Sequence, residues 1–355
     1  MPIEKIDIET FLDLSKQIPV IDVRSPGEYR HAHIPGAQSL PLFTDEERKV
    51  VGTAYKQQSR QEAIKIGLDY FGVKMKTMVE SAEAIRRLFK KKTGNNIADS
   101  FIIHCWRGGM RSAAVAWLLD LYGYKIYTIA GGYKTYRKWV LAQFEKKYPF
   151  KILGGYTGSG KTEVLNELKK QGHAVIDLEG MAGHRGSSFG NIGLPKQVTQ
   201  EQFENHLALE LFEVNRYARE ENGIWMEDES HRIGEVNIPP SLWEQMRYAK
   251  LYFLDIAFEQ RLLLILKMYG HLDKTKMIHA IMRIKKRLGG LDTKEAINAL
   301  LEERTEDCFR ILLHYYDKWY AKGMQNRPDL SQQLIKIPCE TVTEKNIHHL
   351  LNQHT

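Results

Sequence analysis

Short apolar runs alternate with amphipathic stretches along the first 140 residues of the chain. Three buried strands are predicted, at PVIDVRS, DSFIIHC and KIYTIAGG. Two helices are predicted between them, at SAEAIRRLFKKK and RSAAVAWLLDLYG. Strands that alternate with helices in this way are typical of a parallel α/β sheet. We therefore predict an α/β domain over residues 1–142.

The same alternation resumes after a charged, proline-containing joint near residues 140–150. The run FKILGGYTGSGKTEVLNELKKQG predicts a strand, a glycine-rich loop and a helix. Further strands are predicted at HAVIDLEG, NGIWMEDES and KLYFLDIAF. We assign residues 143–256 to a second α/β domain. Residues 257–355 are mostly helical in pattern, with one short strand at QLIKIPC, and we expect them to pack on the second domain.

Composition narrows the cellular setting. The 355 residues are 43% apolar and 27% charged, which is ordinary for a soluble globular protein. Three cysteines are too few for a disulfide framework and indicate a reducing compartment. The start of the chain lacks the pattern of a leader peptide, and no run of about 20 apolar residues predicts a spanning helix. We expect a cytoplasmic protein that does not associate with a membrane.

The run HCWRGGMRS predicts a reactive thiol in an anion-binding loop. Cys105 ends a predicted strand and precedes a predicted helix, so loop amides and the helix N-terminus surround its sulfur with positive dipole. Arg107 and Arg111 add fixed charge that favours the thiolate. The pattern fits phosphate-ester hydrolysis through a phosphocysteine, and it equally fits chalcogen transfer through a persulfide-like cysteine. A buried structural cysteine is the plainer alternative.

Two further segments favour the chalcogen chemistry. VIDVRSPGEYRHAHIPGAQSLPL resembles the N-terminal signature of rhodanese domains, with Asp22, Arg24, Glu28 and residues 33–37 in place. GGYKTYRKW resembles the segment that closes such a domain. One departure keeps the phosphatase alternative open. Five residues separate Cys105 from Arg111, whereas common single-domain rhodaneses have four, and a wider loop is seen in related phosphatase-like members.

The run GGYTGSGKT matches the P-loop pattern, between a predicted strand and a predicted helix. Its amides would cradle phosphates while the lysine neutralises their charge. The expected binding residues are Gly155, Thr157, Gly158, Ser159, Gly160, Lys161 and Thr162. The Thr162 hydroxyl would bind Mg²⁺ if the cradle uses a metal. Nothing in the pattern reads adenine, so a prenyl diphosphate satisfies the same amides as a nucleotide.

Acidic residues follow the next two predicted strands. Glu227, Asp228 and Glu229 end one of them and are candidates for binding a metal. The other is followed by Asp177, Glu179, His184 and Arg185, which are candidates for positioning a second substrate. Solvated loop charges explain both groups equally well. We assign no residue as the ligand of a resident metal.

The helical tail is basic. The formal net charge of the chain is +7, and residues 247–327 hold 16 Lys and Arg against 10 Asp and Glu. Arg283, Lys285, Lys286 and Arg287 cluster there, and LLHYYDKWY follows with interleaved aromatic residues. Basic helices with nearby aromatic rings suit RNA, although a solvated helix face gives the same pattern. Cys308 and Cys339 lack a charged cradle and are expected to be structural.

The whole order of motifs resembles the tRNA 2-selenouridine synthase family. The resemblance rests on DVRSPGEYRHAHIPGA, HCWRGGMRS, GGYTGSGKT and HRGSSFG, and it covers essentially the entire chain. It implies replacement of sulfur by selenium at the 2-position of a thiouridine in the tRNA wobble position, with selenophosphate as donor. It also implies geranylation of that sulfur by geranyl diphosphate.

The resemblance assigns a role to each module. Cys105 aligns with the essential cysteine of the family, which is taken to carry selenium as a selenylsulfide-like intermediate. The P-loop would hold the prenyl diphosphate, the basic tail would bind tRNA, and no tightly bound cofactor is expected. Two alternatives stay open: a Cys-dependent phosphatase fused to a P-loop small-molecule kinase, and a non-catalytic RNA-binding regulator controlled by a nucleotide.

Overall fold

The computed structural model describes residues 3–94, 99–184, 186, 195–217 and 223–352. The chain separates into two compact units, residues 1–142 and 143–355. Each unit has its own parallel sheet and its own hydrophobic core. None of the described helices combines the length and the apolar character needed to cross a membrane.

The first unit is built on a sheet of five parallel strands. They are β1 (Glu4–Ile6), β2 (Val20–Asp22), β3 (Gln38–Ser39), β4 (Ser100–His104) and β5 (Lys125–Ile129). Their order across the sheet is β1-β5-β4-β2-β3. All five residues of the central strand β4 are buried, as expected for a parallel strand covered on both faces. Its carboxyl end delivers Cys105.

Within the described residues, seven helices accompany this sheet. They are α1 (Ile8–Leu14), α2 (Pro26–His31), α3 (Asp45–Gln57), α4 (Arg60–Gly72), α5 (Met75–Thr93), α6 (Met110–Leu121) and α7 (Gly132–Phe144). The sequence pattern identified α5 and α6 but not α1, α2, α3 or α4. Among the missed helices, α3 and α4 begin at side-chain caps, where Thr44 accepts from the Glu47 amide and Ser59 accepts from the Glu62 amide.

The second unit contains a five-stranded parallel sheet and a short hairpin. The sheet strands are β6 (Phe150–Gly155), β7 (Val175–Ile176), β8 (Ile224–Glu227), β11 (Lys250–Ile256) and β12 (Leu334–Cys339), and the antiparallel hairpin strands are β9 (Arg232–Ile233) and β10 (Val236–Asn237). The order in the sheet is β12-β11-β6-β8-β7. The P-loop strand β6 is central, between β11 and β8.

Helices cover this sheet and form most of the chain after residue 257. They are α8 (Lys161–Lys170), α9 (Leu178–Ala182), α10 (Gln200–Asn215), α11 (Pro240–Tyr248), α12 (Phe258–Tyr269), α13 (Lys274–Leu288), α14 (Gly290–Leu301), α15 (Thr305–Gln325), α16 (Leu330–Gln333), a 3₁₀ turn (Glu344–Asn346) and α17 (Ile347–Leu351). Helices α12 to α15 share an apolar core that includes Leu262, Ile281, Ala299 and Leu312.

The predicted fold class is confirmed: both sheets are parallel, helices alternate with strands, and the C-terminal part is mainly helical. Two details differ from the pattern. The stretch 257–355 shares the sheet of the second unit, because β12 pairs along its whole length with β11. The strand predicted at HAVIDLEG covers only Val175–Ile176, since Asp177 caps α9 by accepting from the Gly180 amide at 2.7 Å.

Candidate active sites

The Cys105 sulfur lies at the centre of the loop that joins β4 to α6. It lies 3.3 Å from the Ser112 hydroxyl oxygen and accepts a hydrogen bond from the Gly109 amide at 3.4 Å. The Ser112 hydroxyl oxygen also lies 3.0 Å from the Gly109 carbonyl oxygen, so its one proton can be donated either to that carbonyl or to the thiolate. The cysteine is 3% exposed, so the loop presents the sulfur from a protected position.

These contacts determine the acidity of the thiol. Burial by itself raises the pKa of Cys105, because a low-dielectric environment disfavours the thiolate. Hydrogen bonds from Ser112 and from the Gly109 amide, and the positive charge of Arg111, act in the opposite direction. The net effect lowers the pKa of Cys105 below its ordinary value. The sulfur is therefore prepared to act as a nucleophile.

The GGYK segment after β5 supports the Cys105 loop through backbone hydrogen bonds. The Cys105 carbonyl accepts from the Tyr133 amide and the Trp106 carbonyl accepts from the Lys134 amide, both at 2.9 Å. Gly132 has φ +61°, and a Cβ there would collide with the Cys105 carbonyl oxygen and the Gly108 nitrogen. This position therefore requires glycine.

The two arginines of the loop are in different situations. Arg111 donates to Glu28 at 2.6 Å, and Arg48 pairs with the same carboxylate at 2.9 Å. Arg107 is exposed, and within the described part of the chain it makes no hydrogen bond or ion pair. Its guanidinium is thus available for an incoming anion, whereas Arg111 is held by Glu28.

The DVRS segment forms a buried support beneath the loop. Arg24 binds Asp22 with Nη2 to Oδ2 at 2.6 Å, and both side chains are at most 1% exposed. The same guanidinium donates to the Ala32 carbonyl at 2.7 Å and lies 3.9 Å from the centre of the Tyr133 ring. The pair connects β2 to the GGYK segment through the Tyr133 ring, and it makes no hydrogen bond to the Cys105 sulfur.

The predicted phosphate cradle follows β6 and contains three glycines at positive φ. Gly155, Gly158 and Gly160 have φ of +151°, +81° and +76°, so three of its turns depend on residues without a Cβ. The Lys161 ammonium donates to the Gly155 carbonyl at 2.9 Å, and the Thr162 side chain is exposed. The Ser159 hydroxyl is buried and has no hydrogen-bond partner among the described residues.

Residues from the helical part of the second unit hold this cradle in place. The Arg261 guanidinium donates to the Thr157 carbonyl at 3.0 Å and forms a bidentate pair with Asp317 at 2.9 and 2.7 Å. The Tyr320 hydroxyl accepts from the Gly155 amide at 3.2 Å. Sequence reasoning missed these three residues. Arg261 and Tyr320 lie 104 and 165 positions from their loop partners, and Asp317 is linked to the loop only through Arg261. No local motif marks any of them.

The acidic residues beside the cradle separate into two sets. Asp228 binds Arg327 at 2.5 Å and accepts from the Tyr320 hydroxyl at 2.6 Å, so it is part of the support. Carboxylate oxygens of Glu179, Glu227 and Glu229 lie within 4.8 Å of one another. Of the predicted loop residues, Asp177 caps α9, and Arg185 lies outside the described residues.

Crowding changes the acidity of these glutamates. Burial, together with the nearby charges of Glu179 and Asp177, raises the pKa of Glu227 to about 8. Burial and the same kind of repulsion also raise the pKa of Glu229 well above its ordinary value. The positive charge of Lys161 acts in the opposite direction on the pKa of both glutamates.

Two family models match this chain, one in each unit. Residues 7–138 match the model of the rhodanese-like domain, and residues 148–344 match the model of the tRNA 2-selenouridine synthase AAA domain. A tRNA 2-selenouridine synthase of Hydrogenovibrio crunogenus is 34% identical over 343 residues, covering 88% of this chain and 91% of the relative. Synthases of the same name from Pseudomonas putida and Marinobacter nauticus are 32% and 33% identical, covering 88% and 95% of this chain and 89% and 96% of those relatives.

The chain belongs to the tRNA 2-selenouridine synthase family. The resemblance drawn from the sequence is confirmed, and so is the order of a rhodanese-like domain followed by a P-loop domain. Three of the four motifs that identify this synthase family lie in described segments, at the two loops and the DVRS support. Most of the fourth, HRGSSFG, lies outside the described residues.

The four basic residues that the sequence predicts to bind RNA lie on one helix of the second unit. Arg283, Lys285, Lys286 and Arg287 are all exposed on α13. The Arg287 guanidinium lies 5.4 Å from the ring of Trp319, and the Lys322 ammonium lies 5.2 Å from the same ring. The residues 285–287 occupy the last helical turn, where positive charge also stabilises the helix dipole.

The two remaining cysteines have the opposite character to Cys105. Cys308 is 1% exposed in the core of the helical part, and burial raises its pKa to about 12. Cys339 ends β12, and burial raises its pKa to about 11. Both thiols therefore stay protonated near neutral pH.

Proposed function

We propose that this chain replaces sulfur by selenium at the 2-position of a thiouridine in the wobble position of tRNA. Selenophosphate is the selenium donor, and geranyl diphosphate alkylates the sulfur to make it a better leaving group. The observation that carries the proposal is the presence of two anion-binding loops with different centres, in a chain of this family. One loop surrounds an acidified thiol, and the other surrounds a lysine.

The selenium step is assigned to Cys105. Selenium in selenophosphate is already at the oxidation level of selenide, so a selenylsulfide on the thiol would need a two-electron oxidant in addition. Attack of the Cys105 thiolate on phosphorus needs none. The sulfur–phosphorus bond forms, the phosphorus–selenium bond breaks, and selenium leaves with the electron pair as HSe⁻. Water then hydrolyses the phosphocysteine to phosphate and thiol. The free Arg107 and the loop amides suit the phosphoryl oxygens.

The alkylation step is assigned to the loop at residues 155–162. The thiocarbonyl sulfur of the base attacks C1 of geranyl diphosphate, the carbon–oxygen bond breaks, and pyrophosphate leaves. Lys161 and the loop amides stabilise the charge on the departing pyrophosphate. Selenide then attacks C2 of the base, a carbon–selenium bond forms, and the geranylthiolate leaves with its electron pair. Neither step requires hydrolysis of a nucleotide.

Binding of tRNA is assigned to the exposed basic face of α13 and the neighbouring aromatic residues. Arg283, Lys285 and Lys286 suit contacts with backbone phosphates. The side chain of Trp319 is 37% exposed and suits stacking of an unpaired base. The positive charge of the helical part supports this assignment.

The experiment that tests the function is mass spectrometry of nucleosides from bulk tRNA, in cells with and without the gene for this chain. Selenium-containing uridine found only with the gene supports the proposal. Its absence in both, when selenium is ample, would overturn it.

The route through phosphorus has its own test. The purified chain is mixed briefly with selenophosphate labelled with ³²P, acid-quenched, and digested, and the Cys105 peptide is isolated. A peptide that carries ³²P and no selenium supports attack on phosphorus. A peptide that carries selenium and no ³²P would contradict it. Elemental detection is needed because a phosphoryl group and a selenium atom add nearly the same mass.

The loop length favours one second candidate, a Cys-dependent phosphatase fused to a P-loop kinase. Five residues between Cys105 and Arg111 leave room for a phosphoryl group. This candidate predicts release of phosphate from a small phosphorylated metabolite without any RNA, and loss of that release in Cys105→Ser.

A further inference from the structure

We infer that Arg48 is a positioning residue for the Cys105 loop. It binds the Glu28 carboxylate, and it thereby leaves the positive charge of Arg111 uncompensated at the thiolate and at an anion that enters the loop. The inference holds for any anion that this loop binds. Only its link to selenophosphate rests on the function proposed above.

Two guanidinium groups share the Glu28 carboxylate. Arg111 Nη1 donates to Glu28 Oε2 at 2.6 Å, and Arg111 Nη2 donates to Oε1 at 3.3 Å. Arg48 Nε lies 2.9 Å from the same Oε2. The carboxylate also accepts from the Ser25 amide at 3.1 Å. One carboxylate therefore lies between two guanidinium groups, and an ionised Glu28 leaves this cluster with a net positive charge.

Glu28 is ionised at neutral pH. Burial by itself raises the pKa of Glu28. The hydrogen bond and charge of Arg111, the Ser25 amide and the charge of Arg48 act in the opposite direction, and the pKa lies below its ordinary value. Arg111 and Glu28 alone would form a neutral pair, whose two charges nearly cancel at the sulfur. With Arg48 in place, a net positive charge remains beside the loop.

The fold holds Arg48 at this carboxylate. Asp45, in the first turn of α3, accepts from the Gly27 amide at 2.9 and 3.0 Å, which ties α3 to the helix α2 that carries Glu28. Arg48 lies three positions after Asp45 and therefore on the same face of α3. Its side chain is half-exposed, and an ion pair so close to solvent contributes little to stability. We therefore expect its effect on the loop and not on folding.

The charge of this cluster acts on the sulfur. Burial raises the pKa of Cys105, whereas hydrogen bonds from Ser112 and the Gly109 amide and the charge of Arg111 lower it. A more positive cluster favours the thiolate further, because opposite charges nearby stabilise the charged form. An anion in the loop experiences the same positive field and binds more tightly.

The other ionisable groups near the sulfur have a different character. The Asp22–Arg24 pair beneath the loop is neutral as a whole. His104, which precedes the cysteine, stays uncharged near neutral pH because burial lowers its pKa. Arg107 is exposed, so solvent and salt screen its charge. Among these groups, the cluster at Glu28 is the one that combines partial burial with a net positive charge.

The test uses two measurements on the full chain, neither of which needs selenium. The first is the pH dependence of Cys105 alkylation by iodoacetamide, and the second is protection of Cys105 from that reagent by inorganic phosphate. Arg48→Gln should move the alkylation midpoint upward by about half a pH unit and weaken the protection about threefold, the size of a partly exposed ion pair. Arg48→Lys keeps the charge and should restore most of both effects.

Two further variants serve as controls, and thermal unfolding checks that each variant is folded. Arg30→Gln removes the same charge from α2, where Arg30 is exposed and pairs with Asp45 at 3.3 Å, and it should leave both measurements unchanged. Glu28→Gln tests the route of the effect. Because Arg48 acts through Glu28, adding Arg48→Gln to Glu28→Gln should produce little further change.

An unchanged midpoint and unchanged protection in folded Arg48→Gln would overturn the inference. Equal changes in Arg48→Gln and Arg30→Gln would also overturn it, since the loop would then respond to net charge alone. A full effect of Arg48→Gln in the Glu28→Gln background would contradict the route through Glu28. If both measurements respond as expected while cells with the gene contain no selenium-containing uridine, the role of Arg48 is supported and the proposed function is contradicted.

Discussion

The two loops of this chain begin from the same backbone device and end in different chemistry. Each joins the carboxyl end of a central parallel strand to the start of a helix, and each relies on glycines at positive φ. In the first unit a backbone amide donates to a sulfur, and the Glu28 carboxylate binds Arg111. In the second unit the centre is Lys161, whose ammonium donates to the Gly155 carbonyl. In the proposed mechanism, such an anion-binding loop acts covalently where its central side chain is a thiolate, and it only binds where that side chain is a lysine.

The supports of the two loops also differ. The Cys105 loop rests on the GGYK and DVRS segments of its own unit. The cradle of the second unit is held by Arg261, Asp317 and Tyr320 from the helices that follow the sheet. Helix α15 carries both Tyr320 and Trp319, so one helix contributes to the cradle support and to the proposed RNA face. The second loop is therefore the one whose shape depends on the helical part.

The largest expected effect separates the two loops outright. Cys105→Ser keeps a small polar side chain and removes the thiolate, so selenium incorporation should fall at least about 1,000-fold. Geranylation should persist, because the cradle does not need the thiol. Both products are measured by mass spectrometry of nucleosides from a thiouridine-containing tRNA treated with the purified chain. Cys308→Ala is the control and should keep both activities. Loss of both activities in folded Cys105→Ser would contradict the assignment of the two steps to separate loops.

The reciprocal variant is Lys161→Ala. Removing the charged donor should weaken pyrophosphate binding by about 10- to 100-fold, the size expected for a hydrogen bond between charged groups. Geranylation should fall with it, while transfer of ³²P from selenophosphate to Cys105 continues. Calorimetry with pyrophosphate measures the first effect. Lys169→Ala, on the outer face of α8, is the control. Unchanged geranylation would place the prenyl donor elsewhere in the chain.

Sequence patterns predicted the parts of both loops that depend on neighbours along the chain. Strand, glycines, central residue and helix follow one another within a few positions, and periodicity together with turn chemistry is enough to place them. The glycines of the cradle and the position of Cys105 could be read in this way. Helices α3 and α4 could have been found from their caps, since Thr44 and Glu47 form a capping box.

Contacts between distant segments could not be read from the pattern. Arg111 is held by Glu28 across 83 positions, and Tyr320 reaches the Gly155 amide across 165. Nor did the pattern divide the EDE run, in which Asp228 binds Arg327 whereas the carboxylates of its two neighbours converge with that of Glu179. A single sequence shows which residues are charged. Their partners depend on the order of strands and on the packing of helices.

The two arginines of the first loop are expected to have different roles. Arg107 pairs with no group in the described part of the chain, whereas Glu28 binds Arg111, so the two alanine variants should fail differently. Arg107→Ala should raise the KM for selenophosphate by about tenfold through loss of a charge-assisted contact, with no change in thermal stability. Arg111→Ala leaves Glu28 without its closest partner and should destabilise the first unit by about 1–3 kcal/mol. Steady-state kinetics and thermal unfolding measure the two effects. The reverse outcome would assign substrate binding to Arg111.

The lowered pKa of Cys105 should give a smaller effect, selective alkylation, for which the two other cysteines are controls. Because the pKa of Cys105 is lowered, its thiolate persists as the pH falls below the ordinary value of a free thiol, and is lost only through the lower folded-state pKa. Iodoacetamide at neutral pH should therefore label Cys105 and spare Cys308 and Cys339, whose pKa values are about 12 and 11. Ser112→Ala removes a hydrogen bond to the sulfur and should shift the labelling midpoint upward by about one pH unit or less. A downward shift would contradict the role of Ser112.

The smallest expected effect tests whether the basic residues of α13 bind tRNA. Lys285 and Lys286 are exposed on α13, and replacing both with alanine should weaken tRNA binding by a few-fold at low salt. Each lost phosphate contact should also reduce the slope of log affinity against log salt by about 1. Lys90→Ala with Lys91→Ala, in the last turn of α5, removes the same charge from the first unit and is the matched control. An equal loss in both double variants would mean that tRNA senses only net charge, whereas a change in slope confined to α13 would locate the contact there.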